Sequence, residues 1–393
     1  YNITTVVIPA GLTAAGVNAA VPATGVAANY LSADSYTNTT ASALNVTYTI
    51  VPRSADLCLG DPKVITITID PEPVVAINLD AAKCSDEAIG LTLNTNGTSV
   101  VAANYNVTNI NVPGGLVASG SNVALANGVA ANYLALDVYT NKTASPLGVQ
   151  YTVVPVSAAS CEGNPKVITI TINPEPVIAT TLDAIACSDL NIGLVLNTNG
   201  VSVAASSYNI TSRTIAAGLT PAVTNAVVPA NLVAANYLTT DKFTNTGAIP
   251  LTVVYEVNGV SASTCAGDIQ SITITINPEP VLAAGLNTSV CSDVAGGIVF
   301  NTNGTSVAAA NYNVTAVSIA AGLTSVSTVA VPAAGVAANY LATDTYTNNG
   351  NTALVVAYTV VPVSSDGCLG NPLVITQTVN PEPVLGILDK TVC

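Results

Sequence analysis

Residues 166–177 read Lys-Val-Ile-Thr-Ile-Thr-Ile-Asn-Pro-Glu-Pro-Val, an alternating run that ends at two prolines. Apolar residues at every second position are typical of a β-strand with one buried face, because successive side chains point to opposite sides. The Pro-Glu-Pro triplet recurs at spacings of 103, 104 and 103 residues, beginning at Pro71, Pro174, Pro278 and Pro381. Each copy follows an alternating run. The sequence therefore predicts a tandem repeat of about 100 residues.

Further landmarks keep this period. Each repeat has a second alternating run, such as Val149, Tyr151 and Val153, upstream of the first. Leu-Asn-Thr-Asn-Gly occurs at residues 93–97 and 196–200, and its Asn-Gly pair predicts a hairpin turn. Ala-Ala-Asn-Tyr-Leu begins at Ala27, Ala130, Ala234 and Ala337. An aspartate lies three residues after the leucine of each copy, at Asp34, Asp137, Asp241 and Asp344.

These patterns predict an all-β chain of tandem immunoglobulin-like β-sandwich domains, arranged as beads in an extended rod. Proline restricts its own backbone and the residue before it, so we expect Pro-Glu-Pro to be a short, stiff linker. Tyr1 aligns with Tyr105, which predicts that the first repeat lacks its opening strands. The predicted domains are an incomplete repeat at 1–70, repeats at 71–173, 174–277 and 278–380, and the start of another at 381–393.

The composition argues against several function classes. The chain has 8 basic and 22 acidic residues and a net charge of −14, which disfavours nucleic acid as a partner. No apolar run approaches the roughly 18 residues of a spanning helix, so we expect no membrane insertion in this segment. A nucleophile activated by histidine is impossible, because the chain has no histidine.

Carboxylate pairs are the remaining route to catalysis. The candidates occur once in each repeat, and a catalytic site is rarely copied four times along one chain. We therefore predict that the protein is not an enzyme. The carboxylates considered are Asp34, Asp137, Asp241, Asp344, Glu72, Glu175, Glu279 and Glu382.

Eight cysteines fall two to each repeat period, at Cys58, Cys84, Cys161, Cys187, Cys265, Cys291, Cys368 and Cys393. No Cys-x-x-Cys pair exists, which disfavours zinc. The regular spacing predicts structural disulfides formed outside the cytoplasm.

Three connectivities are open. A bridge within one repeat, Cys84–Cys161, is disfavoured because the two cysteines are expected at opposite ends of a sandwich. The alternative Cys58–Cys84 pairing would use every cysteine but requires the chain to fold back at Pro-Glu-Pro. The favoured pattern joins the first strand of one repeat to the final loop of the next. It predicts Cys84–Cys265 and Cys187–Cys368, with the other four cysteines bonded to further repeats.

Several segments of the second repeat together resemble the PKD-like (immunoglobulin-like) repeats of giant surface proteins from gliding bacteria with type IX secretion. They are Tyr151 to Pro155, Cys161 to Pro165, Val167 to Val177 and Cys187 to Asp189. The resemblance implies an extracellular rod that holds an adhesive or anchoring module away from the cell, with no catalytic residues. The third repeat departs from the pattern at 256–259 and after Cys265.

We expect no cofactor. Calcium at the repeat junctions is the one exception considered, with Asp86, Asp189, Asp293 and Glu175 as hard oxygen ligands; turns made by the aspartate side chains are the simpler interpretation. Asn-x-Ser/Thr sequons, such as those at Asn96 and Asn303, are too frequent in this composition to establish glycosylation.

The sequence favours a structural repeat region of an extracellular, cell-surface filament or adhesin shaft. Its partners would be neighbouring repeats or other copies in a filament. One alternative is a set of binding modules whose Ala-Ala-Asn-Tyr-Leu loops contact surface glycans, a host protein or the substratum. Another is a spacer array in a secreted polysaccharide-degrading enzyme.

Overall fold

A computed structural model describes residues 1–383 of the chain, and its regular structure there consists entirely of β-strands. Because residues 1–383 contain no helix, none of them forms a helical membrane span. The alternating runs form the predicted strands. In residues 166–173, for example, Ile168, Ile170 and Ile172 are completely buried, whereas the threonines between them are partly exposed.

The first repeat contains five strands in two sheets. They are β1 (Asn2–Val7), β2 (Leu12–Ala14), β3 (Tyr36–Asn38), β4 (Leu44–Val51) and β5 (Lys63–Ile69). The larger sheet has the order β1-β4-β5, and β2 pairs with β3 in the smaller one.

The second repeat contains seven strands. They are β6 (Ala81–Cys84), β7 (Ala102–Asn111), β8 (Leu116–Ala118), β9 (Ala126–Val129), β10 (Tyr139–Asn141), β11 (Leu147–Ser157) and β12 (Lys166–Asn173). The larger sheet has the order β6-β12-β11-β7-β9, and β8 pairs with β10. The last strand, β12, pairs with β11 antiparallel and with the opening strand β6 parallel.

The third and fourth repeats have the same seven-strand arrangement. The strands of the third are β13 (Ala184–Cys187), β14 (Ser207–Ile215), β15 (Thr220–Pro221), β16 (Ala230–Val233), β17 (Phe243–Thr244), β18 (Leu251–Val260) and β19 (Gln270–Asn277). Those of the fourth are β20 (Thr288–Cys291), β21 (Ala309–Ile319), β22 (Leu323–Ser327), β23 (Ala333–Val336), β24 (Thr345–Asn348), β25 (Leu354–Ser364) and β26 (Leu373–Asn380). The predicted all-β class with tandem immunoglobulin-like domains is confirmed.

Each seven-stranded repeat has its own hydrophobic core. In the second repeat, the isoleucines of β12 pack in one cluster with Ile89, Leu91 and Leu93, which belong to the segment between β6 and β7. The third and fourth repeats have equivalent clusters, and the first has a much smaller one around Ile3, Val46 and Tyr48.

The chain divides into two compact units. One consists of residues 1–177, 200–204 and 261–267, and the other of residues 178–199, 205–260 and the chain from 268 onward. The repeat boundaries predicted from the sequence stay a prediction. Most of the predicted start of a further repeat at 381–393, including Cys393, lies outside the described residues.

The Asn-Gly prediction was correct in part. Asn96 and Gly97 form a turn, in which Gly97 has a φ of +80° and Asn96 Oδ1 accepts hydrogen bonds from the backbone N–H groups of Thr98 and Ser99. The turn does not join two paired strands of a hairpin, because the next strand, β7, pairs with β11 and β9 instead.

Candidate functional site: the cysteine bridges and the Pro-Glu-Pro linkers

A hydrogen-bonded loop before the last strand of each repeat positions one cysteine. In the second repeat, the Ser157 N–H donates to the Cys161 carbonyl (2.9 Å) and the Cys161 N–H donates to Ser157 Oγ (3.1 Å). These two bonds close the loop, with Ser160 at a φ of +64°. We call the cysteines of these loops the loop cysteines; they are Cys58, Cys161, Cys265 and Cys368.

The other cysteine class lies at the end of an opening strand. Cys84 ends β6, opposite Asn173 in the parallel pairing with β12. The Thr169 N–H donates to Asp80 Oδ1 (2.8 Å), which fixes the start of β6 against the same strand. We call Cys84, Cys187 and Cys291 the first-strand cysteines.

Two disulfides join a first-strand cysteine of one repeat to the loop cysteine of the next. They are Cys84–Cys265 and Cys187–Cys368, each with a sequence separation of 181 and a Cα–Cα distance of 5.3 Å. That distance lies within the ordinary range for disulfides. These are the two pairs that the sequence analysis favoured.

The two other connectivities are not formed. Neither Cys58–Cys84 nor Cys84–Cys161 is possible in this structure, because the sulfur of Cys84 is bonded to Cys265. Among the described residues Cys58, Cys161 and Cys291 have no disulfide partner, and Cys393 lies outside the described residues. Their pairing with further repeats stays a prediction.

Each bridging loop lies directly against a Pro-Glu-Pro linker. A Cβ added to Gly267 would be 1.9 Å from the carbonyl oxygen of Pro176, and one added to Gly370 would be 1.9 Å from that of Pro280. Real Cβ atoms do not approach a carbonyl so closely, so only glycine fits two residues after the cysteine. The contact between glycine and proline holds the loop against the linker. It thereby places the loop cysteine close to the first-strand cysteine with which it forms the disulfide.

The linker itself is hydrogen-bonded rather than loose. The Glu175 N–H donates to the Asn141 carbonyl (3.0 Å), and the Val177 N–H donates to Ser202 Oγ (2.9 Å). The buried Asn141 side chain donates from Nδ2 to the carbonyls of Ile172 (2.7 Å) and Ser145 (3.0 Å). The asparagine was not recognised from the sequence as a structural residue, although Tyr/Phe-Thr-Asn recurs in every repeat.

The glutamate of the third linker is buried beside a second carboxylate. Glu279 is 1% exposed, and Asn371 Nδ2 donates to its Oε1 (3.2 Å). Burial, together with the charge of Asp189 and a hydrogen bond to it, raises the pKa of Glu279 to about 7. Glu279 was a candidate for catalysis and Asp189 a candidate for calcium binding, and the sequence did not predict that the two carboxylates meet.

The calcium candidates Asp86, Asp189 and Asp293 share one structural role. Each follows a serine at the end of an opening strand, has a φ of 61–62°, and accepts a hydrogen bond through Oδ1 from the threonine of the Tyr/Phe-Thr-Asn motif. The Thr244–Asp189 bond is 2.5 Å long. The turn interpretation accounts for these bonds. Calcium at the junctions stays a prediction, for which Asp189 and Glu279 supply two neighbouring carboxylates.

The Ala-Ala-Asn-Tyr-Leu motif and its aspartate are used inside each repeat. In the second repeat Leu134, Asp137 and Tyr139 are buried. Tyr151 donates its hydroxyl hydrogen to Asp137 Oδ2 (2.9 Å), and the hydroxyls of Tyr139 and Tyr151 are 2.8 Å apart. Burial raises the pKa of Asp137, whereas its bonds from Val123 and Tyr151 lower it. These buried side chains pack or form hydrogen bonds inside the repeat, so they are not exposed on a surface where a ligand could contact them.

The chain also matches known proteins. The profile of the PKD-like domain matches residues 17–73, 82–176, 187–280 and 305–383, which is most of the chain. No curated protein matches it at a significant level.

Three solved structures illustrate the structural comparison. Drosophila N-cadherin EC1-4 is 12% identical, with 87% of this chain and 84% of that one covered and a TM-score of 0.21. Human CDH23 EC21-23 is 11% identical, with 78% and 99% covered and a TM-score of 0.24. The sialic acid binding region of a Streptococcus sanguinis SK1 adhesin is 8% identical, with 79% and 78% covered and a TM-score of 0.19. TM-scores this low carry no argument about this chain.

Proposed function

Because the chain belongs to the PKD-like domain family, we propose that it is the structural repeat region of an extracellular bacterial surface filament or adhesin shaft, to which it gives reach and stiffness. The observation that carries this proposal is the pair of overlapping disulfides, Cys84–Cys265 and Cys187–Cys368. For the location of the chain at the cell surface and its export by type IX secretion, the support is the sequence resemblance to the repeats of giant surface proteins. Disulfides themselves are typical of proteins outside the cytoplasm.

The overlap limits how far the chain extends under tension. With both bridges closed, the shortest covalent path runs from Cys84 to Cys265, back along the chain to Cys187, and across to Cys368. Only the backbone between Cys187 and Cys265 is then available for extension. That is roughly 80 residues or 28 nm, compared with roughly 280 residues or 100 nm for the backbone without bridges.

The linkers support the same proposal. The two linkers at 174–176 and 278–280 are held by backbone hydrogen bonds and are each contacted by a glycine of a bridging loop, Gly267 or Gly370, so the polypeptide there has little freedom. A mechanical connector needs this property, whereas an enzyme does not. The candidate carboxylates Asp137, Asp241 and Asp344 are occupied by tyrosine or arginine side chains within the repeats. This favours a role without catalysis.

Single-molecule force spectroscopy tests the proposal on the whole chain held at its two ends. In oxidising buffer, we expect the stretch from Cys84 to Cys368 to reach a final length of roughly 28 nm. The C265S variant leaves one bridge, and the path then includes the backbone from Cys84 to Cys187, roughly 37 nm. The C265S/C368S variant should reach roughly 100 nm.

The matched control is C161S, which removes a loop cysteine that is free in the structure. It should extend like the parent chain. If the oxidised parent extended to the length of the C265S/C368S variant, the bridges would not carry tension and the mechanical role would be rejected.

A further inference from the structure

Several asparagines of the chain are followed by glycine, the dipeptide in which an asparagine side chain cyclises most readily onto its own backbone. The reaction needs the backbone nitrogen of the glycine to reach Cγ of the asparagine, and glycine has no Cβ to obstruct that approach. The local structure therefore decides which pairs react. The asparagines are Asn96, Asn127, Asn199, Asn258, Asn303 and Asn349.

The side-chain amide of Asn96 is held over the backbone that follows it. Its Oδ1 accepts hydrogen bonds from the N–H groups of Thr98 (3.0 Å) and Ser99 (2.9 Å), and Gly97, between Asn96 and these donors, has a φ of +80°. In the described structure neither the N–H of Gly97 nor Nδ2 of Asn96 donates a hydrogen bond. The attacking nitrogen and the leaving nitrogen are thus both unengaged, in a turn that keeps the reacting groups close together.

Asn303 has the same arrangement in the fourth repeat. Its Oδ1 accepts hydrogen bonds from the N–H groups of Thr305 (3.0 Å) and Ser306 (2.9 Å), and Gly304 has a φ of +79°. Donors aimed at an oxygen on which negative charge develops stabilise a transition state. Negative charge develops on the asparagine Oδ1 when the glycine nitrogen adds to Cγ. Both turns therefore supply two such donors to the reaction.

Two other Asn-Gly pairs are held differently, although their asparagines are exposed as well. Asn127 lies in β9, where the N–H of Gly128 donates to Asn106 Oδ1 (2.9 Å). In the fourth repeat the N–H of Gly350 donates to Asn348 Oδ1 (3.0 Å). In each pair the glycine nitrogen is bonded to the side chain of a different residue. Exposure alone thus does not distinguish the pairs, whereas the bonding of the glycine nitrogen does.

We propose that Asn96 and Asn303 are sites of spontaneous modification, at which the folded turn promotes cyclisation to a succinimide and its hydrolysis to aspartate or isoaspartate. At Asn96 the Gly97 nitrogen adds to Cγ and loses its proton to water. The Cγ–Nδ2 bond then breaks, and the nitrogen leaves as ammonia. Water opens the ring at one of its two carbonyls. One amide and one water become a carboxylate and an ammonium ion, so no oxidant or reductant is needed.

The turn at Asn96 also holds the first Pro-Glu-Pro linker. The N–H of Val74 donates to Ser99 Oγ (3.0 Å), and the N–H of Asn96 donates to the Val74 carbonyl (2.9 Å). The N–H of Val100 donates to the carbonyl of Thr40 in the preceding repeat (3.0 Å). Isoaspartate routes the main chain through the former side chain and adds one carbon atom to the turn. We expect this insertion to break the bonds to Val74 and Thr40.

The turn at Asn303 makes the equivalent bonds. The N–H of Val281 donates to Ser306 Oγ (3.0 Å), the N–H of Asn303 donates to the Val281 carbonyl (2.9 Å), and the N–H of Val307 donates to the Gly247 carbonyl (2.9 Å). The aspartate product leaves the main chain unchanged, and its carboxylate can accept the same two N–H groups as the amide. The two products thus differ in their effect, because only isoaspartate releases the linker.

Incorporation of ¹⁸O from labelled water measures the modification in the whole chain at neutral pH. Peptide mass spectrometry follows each Asn-Gly pair in the folded chain and in urea, with the disulfides closed in both. In the folded chain we expect Asn96 and Asn303 to react at least about tenfold faster than Asn127 and Asn349. They should also react faster than the same two residues in urea. Folded-state rates at or below those in urea would overturn the proposal.

A variant tests the hydrogen-bond donors. Thr98→Pro removes one N–H group from Asn96 Oδ1 and leaves the turn at Asn303 as an internal reference. The ratio of the folded-state rate to the rate in urea should fall at Asn96 and stay unchanged at Asn303. Thr98→Ala keeps the N–H group and should behave like the parent. An unchanged ratio at Asn96 in Thr98→Pro would show that the donors do not promote the reaction.

Hydrogen exchange at Val74 and Val100 measures the effect on the linker. Chain incubated until Asn96 has reacted is compared with N96D, which carries the same charge without the additional main-chain atom. Both amides should exchange faster in the incubated chain, in proportion to its isoaspartate content, and at the parent rate in N96D. Equal exchange in the two samples would overturn the release of the linker. The inference does not depend on the proposed shaft function.

Discussion

The Cβ position of Gly296 lies 2.3 Å from Oε1 of Gln377, so the two residues share one volume in the core of the fourth repeat. The equivalent positions of the third repeat hold Ile192 and Ile274, both buried. Gln377 is completely buried, and in the described structure neither polar atom of its amide has a hydrogen-bond partner. The fourth repeat has thus exchanged an apolar pair for a glycine and an unsatisfied glutamine.

Restoring both isoleucines should stabilise the fourth repeat. In G296I/Q377I the unsatisfied amide is removed and its volume is filled, and we expect a gain of about 2–4 kcal/mol in the free energy of unfolding. G296I alone should destabilise, because its side chain collides with Gln377. Hydrogen exchange with mass spectrometry on the whole chain resolves the repeats. Faster exchange of β26 in the double variant than in the parent would contradict the expectation.

The linker glutamate Glu279 should make the stability of the chain pH-dependent. Its folded pKa of about 7 lies above the ordinary value of 4.5. The folded state therefore binds the proton more tightly, and the free energy of unfolding falls as pH rises from 4.5 to 7. The E279Q variant has no carboxylate to titrate and should not show this fall. At pH 8 its free energy of unfolding should exceed that of the parent by about 3 kcal/mol at most, and at pH 4.5 the two should differ little.

Denaturant unfolding at the two pH values measures this effect. The control is E87Q, which changes a carboxylate on the exposed Lys83–Glu87 pair. A parent chain whose stability rose between pH 4.5 and pH 8 relative to E279Q would show that the sign is wrong.

The hydroxyl of Tyr151 should matter more than that of Tyr105, although both tyrosines are buried. Y151F leaves Asp137 Oδ2 without the donor that the structure gives it, and we expect a loss of about 1–3 kcal/mol. Y105F is the matched control, because the described structure shows no hydrogen bond from its hydroxyl. Hydrogen-exchange rates of β7 and β11 measure the stability of the repeat in both variants. Equal losses of stability in Y151F and Y105F would contradict the role of the Tyr151–Asp137 bond.

In the third repeat an ion pair stands in for one of the two tyrosines that lie beside the aspartate in the second repeat. Phe243 stands where the second repeat has Tyr139, and Arg213 Nη1 lies 3.2 Å from Asp241 Oδ2. The R213I variant should destabilise the repeat by about 1–3 kcal/mol, because the buried carboxylate loses its cation. Adding F243Y rebuilds the arrangement of the second repeat, in which Ile110 replaces the arginine.

A double-mutant cycle in hydrogen exchange measures this compensation. R213I/F243Y should recover at least about 1 kcal/mol of the loss in R213I. Strictly additive effects of the two substitutions would mean that the tyrosine and the arginine do not serve the same carboxylate.

The strands were accessible from the sequence because they depend on a regular spacing, whereas the spacing of the cysteines left three disulfide connectivities open. Alternation places Ile168, Ile170 and Ile172 on one face whatever surrounds them. The meeting of Asp189 and Glu279 was not accessible, because these residues are distant in sequence and neither has a local pattern that refers to the other. The hairpin at Asn96–Gly97 was predicted from local turn chemistry, but the pairing of β7 with β11 depends on the whole sheet.

The two overlapping disulfides also determine how the molecule responds to a protease. One backbone cut between Cys84 and Cys187 leaves the ends joined through Cys265, and one cut between Cys265 and Cys368 leaves them joined through Cys187. Separation of Cys84 from Cys368 requires a cut in each of the three stretches that the four bonded cysteines define. In limited proteolysis, a chain nicked once in one or two of these stretches between Cys84 and Cys368 should therefore stay in one piece on a non-reducing gel and fall into fragments only after reduction. The covalent connection between these two cysteines thus outlasts any two cuts that fall in different stretches.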